Sequence, residues 1–173
     1  MQTQQYFQSF HNISKIKNAK SLSFQCTEKN ATFNIELLKE FKLILQYENI
    51  FRILFHSKIE DNLHDMVIAL NKESLIYPHK HEKEETYHII IGKMLLVYFT
   101  EKGEIDNTVL LSNNDILIAR VDKETYHAII VIEDAIYHET RVGPFITKTD
   151  STYPDWCKNK DIFMKNIVNE VLK

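Results

Sequence analysis

The chain has 173 residues, 44% hydrophobic and 26% charged, with a formal net charge of -3. That is the make-up of one ordinary globular domain with a real core, too short for two comfortable ones. Lysines interspersed with acids leave no basic footprint for nucleic acid, and three glycines in the whole chain cannot build a P-loop or a dinucleotide fingerprint. The opening MQTQQYFQSF lacks a basic region ahead of an apolar core, and no run approaches the roughly 18 apolar residues of a spanning helix. Neither nucleic acid nor a membrane is an expected partner, and the expected location is the cytoplasm. Cys26 and Cys157 lack the paired spacing of a zinc knuckle or redox motif and read as small buried hydrophobes.

Residues 1–33 read as an N-terminal extension in which SLSFQCT and ATFNI suggest short strands. From Asn34 the segment NIELLKEFKLILQYEN sets Ile35, Leu38, Phe41 and Leu45 at three- and four-residue spacing behind an asparagine cap, which predicts an amphipathic helix. Then come nine short β-type runs: FRILFH, MVIAL, LIYPH, TYHIII, KMLLVYFT, NTVLL, DILIAR, YHAIIVI and AIYHETRV. Gly103 marks one turn, Asn113 and Asn114 offer left-handed positions for another, and IED is expected to reverse the chain after Ile132. No long helices separate the strands, so the expected class is a sandwich or barrel rather than a parallel α/β sheet. The last segment, DIFMKNIVNEVLK, places Ile162, Phe163, Ile167, Val168 and Val171 on a helical stripe, expected to pack over residues 159–173 on the barrel or on a second subunit.

The densest chemistry lies in PHKHEKEETYHIIIG, residues 78–92. Residues two apart on a strand share a face, so His79 and His81 point into one space. Glu85 can supply a carboxylate, and His127, at the start of YHAIIVI, can reach the same inner face from a distant strand. Three imidazoles and one carboxylate suit a divalent zinc, iron, manganese or nickel ion, with positions left for water or substrate. Taken alone, an H-x-H pair is more often a solvated turn. The neighbouring Glu84 is expected to turn outward by strand alternation.

H-x-H, three residues, Glu, six residues, Gly is a spacing that resembles the first signature of the cupin superfamily. NLHDMVIALNKESLIYPHKH, VYFTEKGEID, YHAIIVIEDAIYHETRVGPF and the pair Tyr153 and Trp156 extend the resemblance over roughly residues 34–158, to the WbuC-type cupin-fold metalloproteins. The resemblance implies an all-β dominated domain, a small jelly-roll (double-stranded β-helix) barrel with an N-terminal and a C-terminal helix. It further implies a bound metal, association with bacterial surface-polysaccharide biosynthesis, and pairing of barrels as a homodimer. Asp122 and Glu124 stand where the second signature has proline and glycine, and Val131 replaces a later asparagine, so the turn before His127 must form without its usual glycine.

Around these donors, His64 is a candidate acid/base or a structural histidine satisfying a backbone group, and Asn62 shares both readings. Glu139 and Arg141 share a strand face and either bind substrate from the barrel interior or form an outward salt bridge. Tyr77, Tyr87 and Tyr126 flank the donors, where they would line a sugar pocket or simply pack. His88 and His138 fall at the opposite parity. Three functions follow: a metal-dependent, isomerase-like enzyme acting on a sugar or nucleotide-sugar, an iron-dependent dioxygenase, and a non-catalytic sugar-binding or regulatory cupin.

Overall fold

The computed structural model describes residues 13–17, 19–27, 29–146 and 150–172. Its elements are β1 (Ile13–Lys15), β2 (Leu22–Cys26), α1 (Ile35–Ile44), β3 (Ile50–Leu54), β4 (Leu63–Leu70), β5 (Leu75–His79), β6 (Glu85–Phe99), β7 (Ile105–Ser112), β8 (Ile118–Val121), β9 (Tyr126–Val142) and α2 (Lys160–Val171). Residues 1–12 of the N-terminal extension lie outside the described set. SLSFQCT holds a strand, whereas ATFNI is irregular chain leading into α1. None of the described helices is long and apolar enough to cross a membrane.

Two strands organise the molecule. β6 and β9 are 15 and 17 residues long and pair antiparallel along nearly their whole length. The first half of β6 and the last half of β9 form one sheet with β8 on one side and β4, β3, β2 and β1 on the other. The last half of β6 and the first half of β9 form a second sheet with β7 and β5 at its edges. Side chains from both sheets meet in one core, including Met66, Ile68, Ile89, Met94, Leu96, Leu111, Ile129 and Tyr137. The result is the expected jelly-roll barrel, dominated by β structure.

The bend that carries β6 and β9 from one sheet to the other falls where their register slips, between Ile89 and Met94. There Gly92 holds a φ of +87°, and a Cβ on it would lie 2.1 Å from the Asp134 carbonyl oxygen. Only glycine permits both that backbone and that approach. The sequence pattern suggested four runs here, and the chain instead makes two continuous bent strands. In particular IED does not reverse the chain: Ile132, Glu133 and Asp134 lie within β9, because β6 remains available as partner on both sides of the slip.

Each sheet has one outer face covered by a helix. Asn34 caps α1 by accepting from the amides of Glu36 and Leu37, both at 3.1 Å. α1 buries Leu37, Phe41, Ile44 and the following Leu45 against Phe24, Phe51, Ile53, Val67 and Ala69, with the Phe41 and Phe51 rings 4.5 Å apart. The buried stripe is rotated from the expected one, since Ile35 is 62% exposed. α2 covers the second sheet, burying Met164 and Ile167 against Leu95, Val97, Phe99, Ala128 and Ile130. Ile162, expected in the stripe, faces solvent.

Asn113 and Asn114 do not take left-handed conformations: among the described non-glycine residues, positive φ occurs only at Glu124, at 59°. Glu124 stands where the resemblance anticipates glycine. Its amide donates to the His81 carbonyl at 2.7 Å and its carboxylate pairs with Lys80 at 3.1 Å, so the turn before His127 is tied directly to the chain carrying His79 and His81.

Candidate metal centre

Strand alternation and cross-strand register build the centre. On β5 and β9, His79 and His127 are direct partners on the inner face of the second sheet. Lys80 bridges to Thr152 with two backbone hydrogen bonds of 2.9 Å, which keeps the chain extended past the end of β5 and brings His81 round beside His79, rings 4.7 Å apart. Glu85 opens β6 opposite Arg141 and Val121, on the inner face of the first sheet. One ligand atom from each of His79, His81, Glu85 and His127 lies within 4.8 Å of the others, and this group could hold a metal ion.

The second ring nitrogens fix the orientation. Nδ1 of His79, His81 and His127 lies 2.8, 2.5 and 2.9 Å from the carbonyl oxygens of Tyr77, Asp150 and Thr125. A carbonyl only accepts, so each Nδ1 carries a proton and donates, leaving Nε2 of each ring for the centre. Nε2 of His127 is 2.8 Å from one Glu85 oxygen, and Nε2 of His81 is 3.6 Å from the other. The Tyr87 hydroxyl donates to Glu85 at 2.6 Å.

Electrostatics agree with a cation-binding role. Burial, reinforced by the neighbouring His127 and His81, lowers the pKa of His79 to about 3, so its imidazole is neutral. Burial also lowers that of His81, against the attraction of Glu85. Burial would raise Glu85, but the hydrogen bond and charge of His127, with His81 and Tyr87, outweigh it and hold the carboxyl down to about 2. Burial opposes protonation of His127, yet the Glu85 hydrogen bond and charge raise its pKa. Three imidazoles converging on an ionised carboxylate fit a first-row divalent ion.

The remaining candidates separate. Glu139 and Arg141 both face the barrel interior, register-paired with Tyr87 and Glu85. Arg141 donates to the Asp150 carboxylate at 2.5 Å, so its guanidinium is engaged inside the protein. Glu139 is buried, and burial together with the charge of Glu85 pushes its carboxyl up to about 7. His64 is buried with Nε2 3.2 Å from the Ile59 carbonyl, its ring stacked 4.0 Å from His56. Asn62 is exposed, its carbonyl accepting from the Gly143 amide at 2.9 Å. Glu84 is half-buried and 3.5 Å from Arg120, pointing away from the donors. His88 and His138 are partners on the outer face.

Tyr77 and Tyr126 do not join the centre. Tyr126 follows strand alternation onto the outer face, where its ring meets Trp156 at 5.6 Å and Lys80 at 4.6 Å. A register shift between Ile76 and His79 puts Tyr77 outside as well, its hydroxyl donating to Asp161 of α2 at 2.6 Å. Of the three tyrosines expected to flank the donors, Tyr87 does so, two places from Glu85 on one strand. Asp150 escaped the sequence reading, since it lies in irregular chain with no period to place it.

Two openings lie near the centre, the first lined by His81 and the second by the donors' neighbours Tyr98 and Thr125 but by none of the four donors. At the His81 and Arg141 end, the space beside Asp150 amounts to about 10 Å³. Between the β7 and β8 edges lies a cleft of about 430 Å³. A larger hollow of about 680 Å³, beside the β1–β2 hairpin, shares no lining residue with the histidine cluster.

A family model described as a domain of unknown function, DUF6016, matches residues 51–111, which include His79, His81 and Glu85 but not His127. No curated protein matches the chain. Solved structures with a similar fold include the capsular polysaccharide assembling protein CapF from Staphylococcus aureus, with a TM-score of 0.52, 15% identity, and coverage of 60% of this chain and 29% of CapF. KdgF from a Halomonas species gives a TM-score of 0.45 at 16% identity over 57% of this chain and 82% of that one. A cupin superfamily protein from Desulfitobacterium hafniense gives 0.45 at 12% identity, over 54% and 76%. At such identities the likeness concerns the fold alone. The chain has the cupin fold.

Proposed function

We propose that the protein is a WbuC-type metal-dependent cupin enzyme that takes a small sugar or sugar derivative in bacterial surface-polysaccharide assembly, with His79, His81, Glu85 and His127 as the residues that would hold one divalent ion. The observation that carries this reading is the convergence of three Nε2 atoms and one carboxylate inside the barrel, each Nδ1 already committed to a backbone carbonyl. The sugar part draws on the sequence resemblance, and CapF, a capsular polysaccharide assembling protein, has a similar fold.

When bound, the ion would supply Lewis-acid polarisation of a substrate oxygen. The protein's own groups do the rest. Tyr87 and the Nδ1 acceptors orient the donors, and the low-dielectric interior strengthens their field. Glu139, on the interior wall opposite Tyr87, holds a proton near neutrality, as a group that passes one to and from substrate requires. It suits the acid/base role better than His64, whose ring is engaged by Ile59 and His56. In this reading Arg141 positions Asp150, whose carbonyl orients His81. A homodimer through the tail helix finds no support in α2, whose apolar side is spent on the chain's own barrel.

The test is purification without chelators, metal analysis, and incubation of the loaded protein with sugars in deuterated water. Metal-dependent deuterium incorporation into one sugar supports the isomerase-like reading. Retained metal with oxygen consumption but no exchange would replace it with the dioxygenase reading.

A further inference from the structure

The cleft between β7 and β8 lies on the open side of the sandwich, because among the described strands each of these forms a ladder with β6 alone. Its lining includes Tyr98, Asp106, Asn107, Ala119, Arg120 and Thr125. Two of these adjoin the metal centre: Tyr98 is the strand partner of His127, and the Thr125 carbonyl accepts from His127 Nδ1 at 2.9 Å. By contrast the His81 end is closed by the Arg141–Asp150 pair. At about 430 Å³ the cleft falls within the roughly 300–1,000 Å³ of small-molecule sites.

Its chemistry is unusual for a strand edge. Tyr98 pairs with Asn107 and Phe99 with Ile105, so Asp106 is the extra residue of a bulge. The bulge breaks the alternation that would send Asp106 to the opposite face, and two consecutive polar side chains line one cleft beside a phenol. A carboxylate and an amide next to an aromatic ring match vicinal hydroxyls on a ring with apolar C–H faces. An anion finds no such match. Among the described residues no lysine lines the cleft, and Arg120 is paired with Asp122 at 2.9 Å and Glu84 at 3.5 Å.

We propose that this cleft is the substrate's route to the metal, and that Tyr98, Asp106 and Asn107 select an uncharged, polyhydroxylated small molecule over anionic ones. The proposal rests on the metal-centre reading above and narrows it toward a free neutral sugar rather than a nucleotide-sugar.

Cobalt-loaded protein titrated with D-glucose, D-galactose and N-acetyl-D-glucosamine, and in parallel with D-glucuronate and UDP-glucose, tests it through the visible cobalt spectrum. At least one neutral sugar should give a saturable change, with the anionic probes at least tenfold weaker. Asp106→Ala and Asn107→Ala should each raise the half-saturating concentration at least tenfold while cobalt content stays at the wild-type level, and Asn107→Trp, which fills the mouth, should abolish the response. No response to any neutral sugar, preference for the anionic probes, or unchanged titrations in folded, cobalt-replete variants would overturn the proposal. Should the wild type retain no cobalt, the metal reading fails by itself. Saturation-transfer NMR with the same sugars then judges the cleft, where Asn107→Ala must still weaken binding.

Discussion

His79 on β5 and His127 on β9 are backbone partners on one rung of the second sheet, with their rings 4.4 Å apart. The rung joins a short edge strand to one of the two strands that traverse the whole barrel. The donor geometry is therefore set by sheet pairing rather than by a flexible loop, and Glu85, at the start of the other long strand, completes it from the facing sheet.

Ligand substitutions should discriminate sharply between adjacent glutamates. His81→Ala and His127→Ala should reduce retained metal to about a tenth or less of the wild-type content after dialysis, consistent with loss of a direct ligand. Glu85→Gln should fall likewise. Glu84→Gln should retain full occupancy, because the Glu84 carboxylate is turned toward Arg120 and away from the donors. Elemental analysis decides, and loss at Glu84 with retention at Glu85 would reverse the assignment.

Gly92→Ala places a methyl group 2.1 Å from a backbone oxygen at a φ of +87°. Neither atom belongs to a flexible side chain, so the bend itself must open. A cost of about 3 kcal/mol is expected, or a melting temperature lower by roughly 6–12 °C. An unchanged melting temperature in calorimetry would mean that the crossing of β6 and β9 is not held by this contact.

Glu124 tests the turn before His127 in the opposite direction. A non-glycine residue at a φ of 59° carries roughly 1–2 kcal/mol of steric cost. Glu124→Gly relieves it while losing a partly exposed Lys80 pair worth about 1 kcal/mol and adding unfolded-state entropy. Glu124→Gly should leave stability unchanged or raise it slightly, while Glu124→Val lowers it by about 1–2 kcal/mol. Chemical denaturation of both variants checks the order, and the reverse order would contradict the conformation assigned to Glu124.

The buried Glu139 predicts a pH signature. Its carboxyl is raised from 4.5 to about 7 in the folded protein, so the folded state holds the proton more tightly than the unfolded chain. The stability it contributes is fully present below pH 4.5 and is lost as pH rises through about 7. Glu139→Gln removes the titration. In metal-free protein its stability relative to wild type should therefore climb between those limits and level off at up to roughly 3 kcal/mol. A difference that stays flat with pH would show that Glu139 is not a buried acid of this kind.

Period-two alternation made much of the site legible. It grouped His79 with His81, linked Glu139 to Arg141, and set His88 and His138 apart; alternation alone does not reveal which face is inner, and only pairing with Glu85 and Tyr87 settles that. It also failed where the strand is irregular. Tyr77 has the parity of His79 but lies beyond a register shift, and Asp106 enters the cleft through a bulge, neither of which leaves a mark in residue type. Gly92 looked like a break between strands because glycine signals turns. Here it permits close strand crossing, and so β6 and β9 run on through the bend. Contacts made by Asp150 come from irregular chain after β9, beyond the reach of any periodic pattern.

X-ray absorption spectroscopy of zinc-loaded protein addresses the central claim most directly. One ion per chain, with three imidazole nitrogens and a carboxylate oxygen at about 2.0–2.2 Å, is the predicted result. Substoichiometric zinc, a sulfur ligand, or fewer than two imidazoles in the coordination sphere would contradict it.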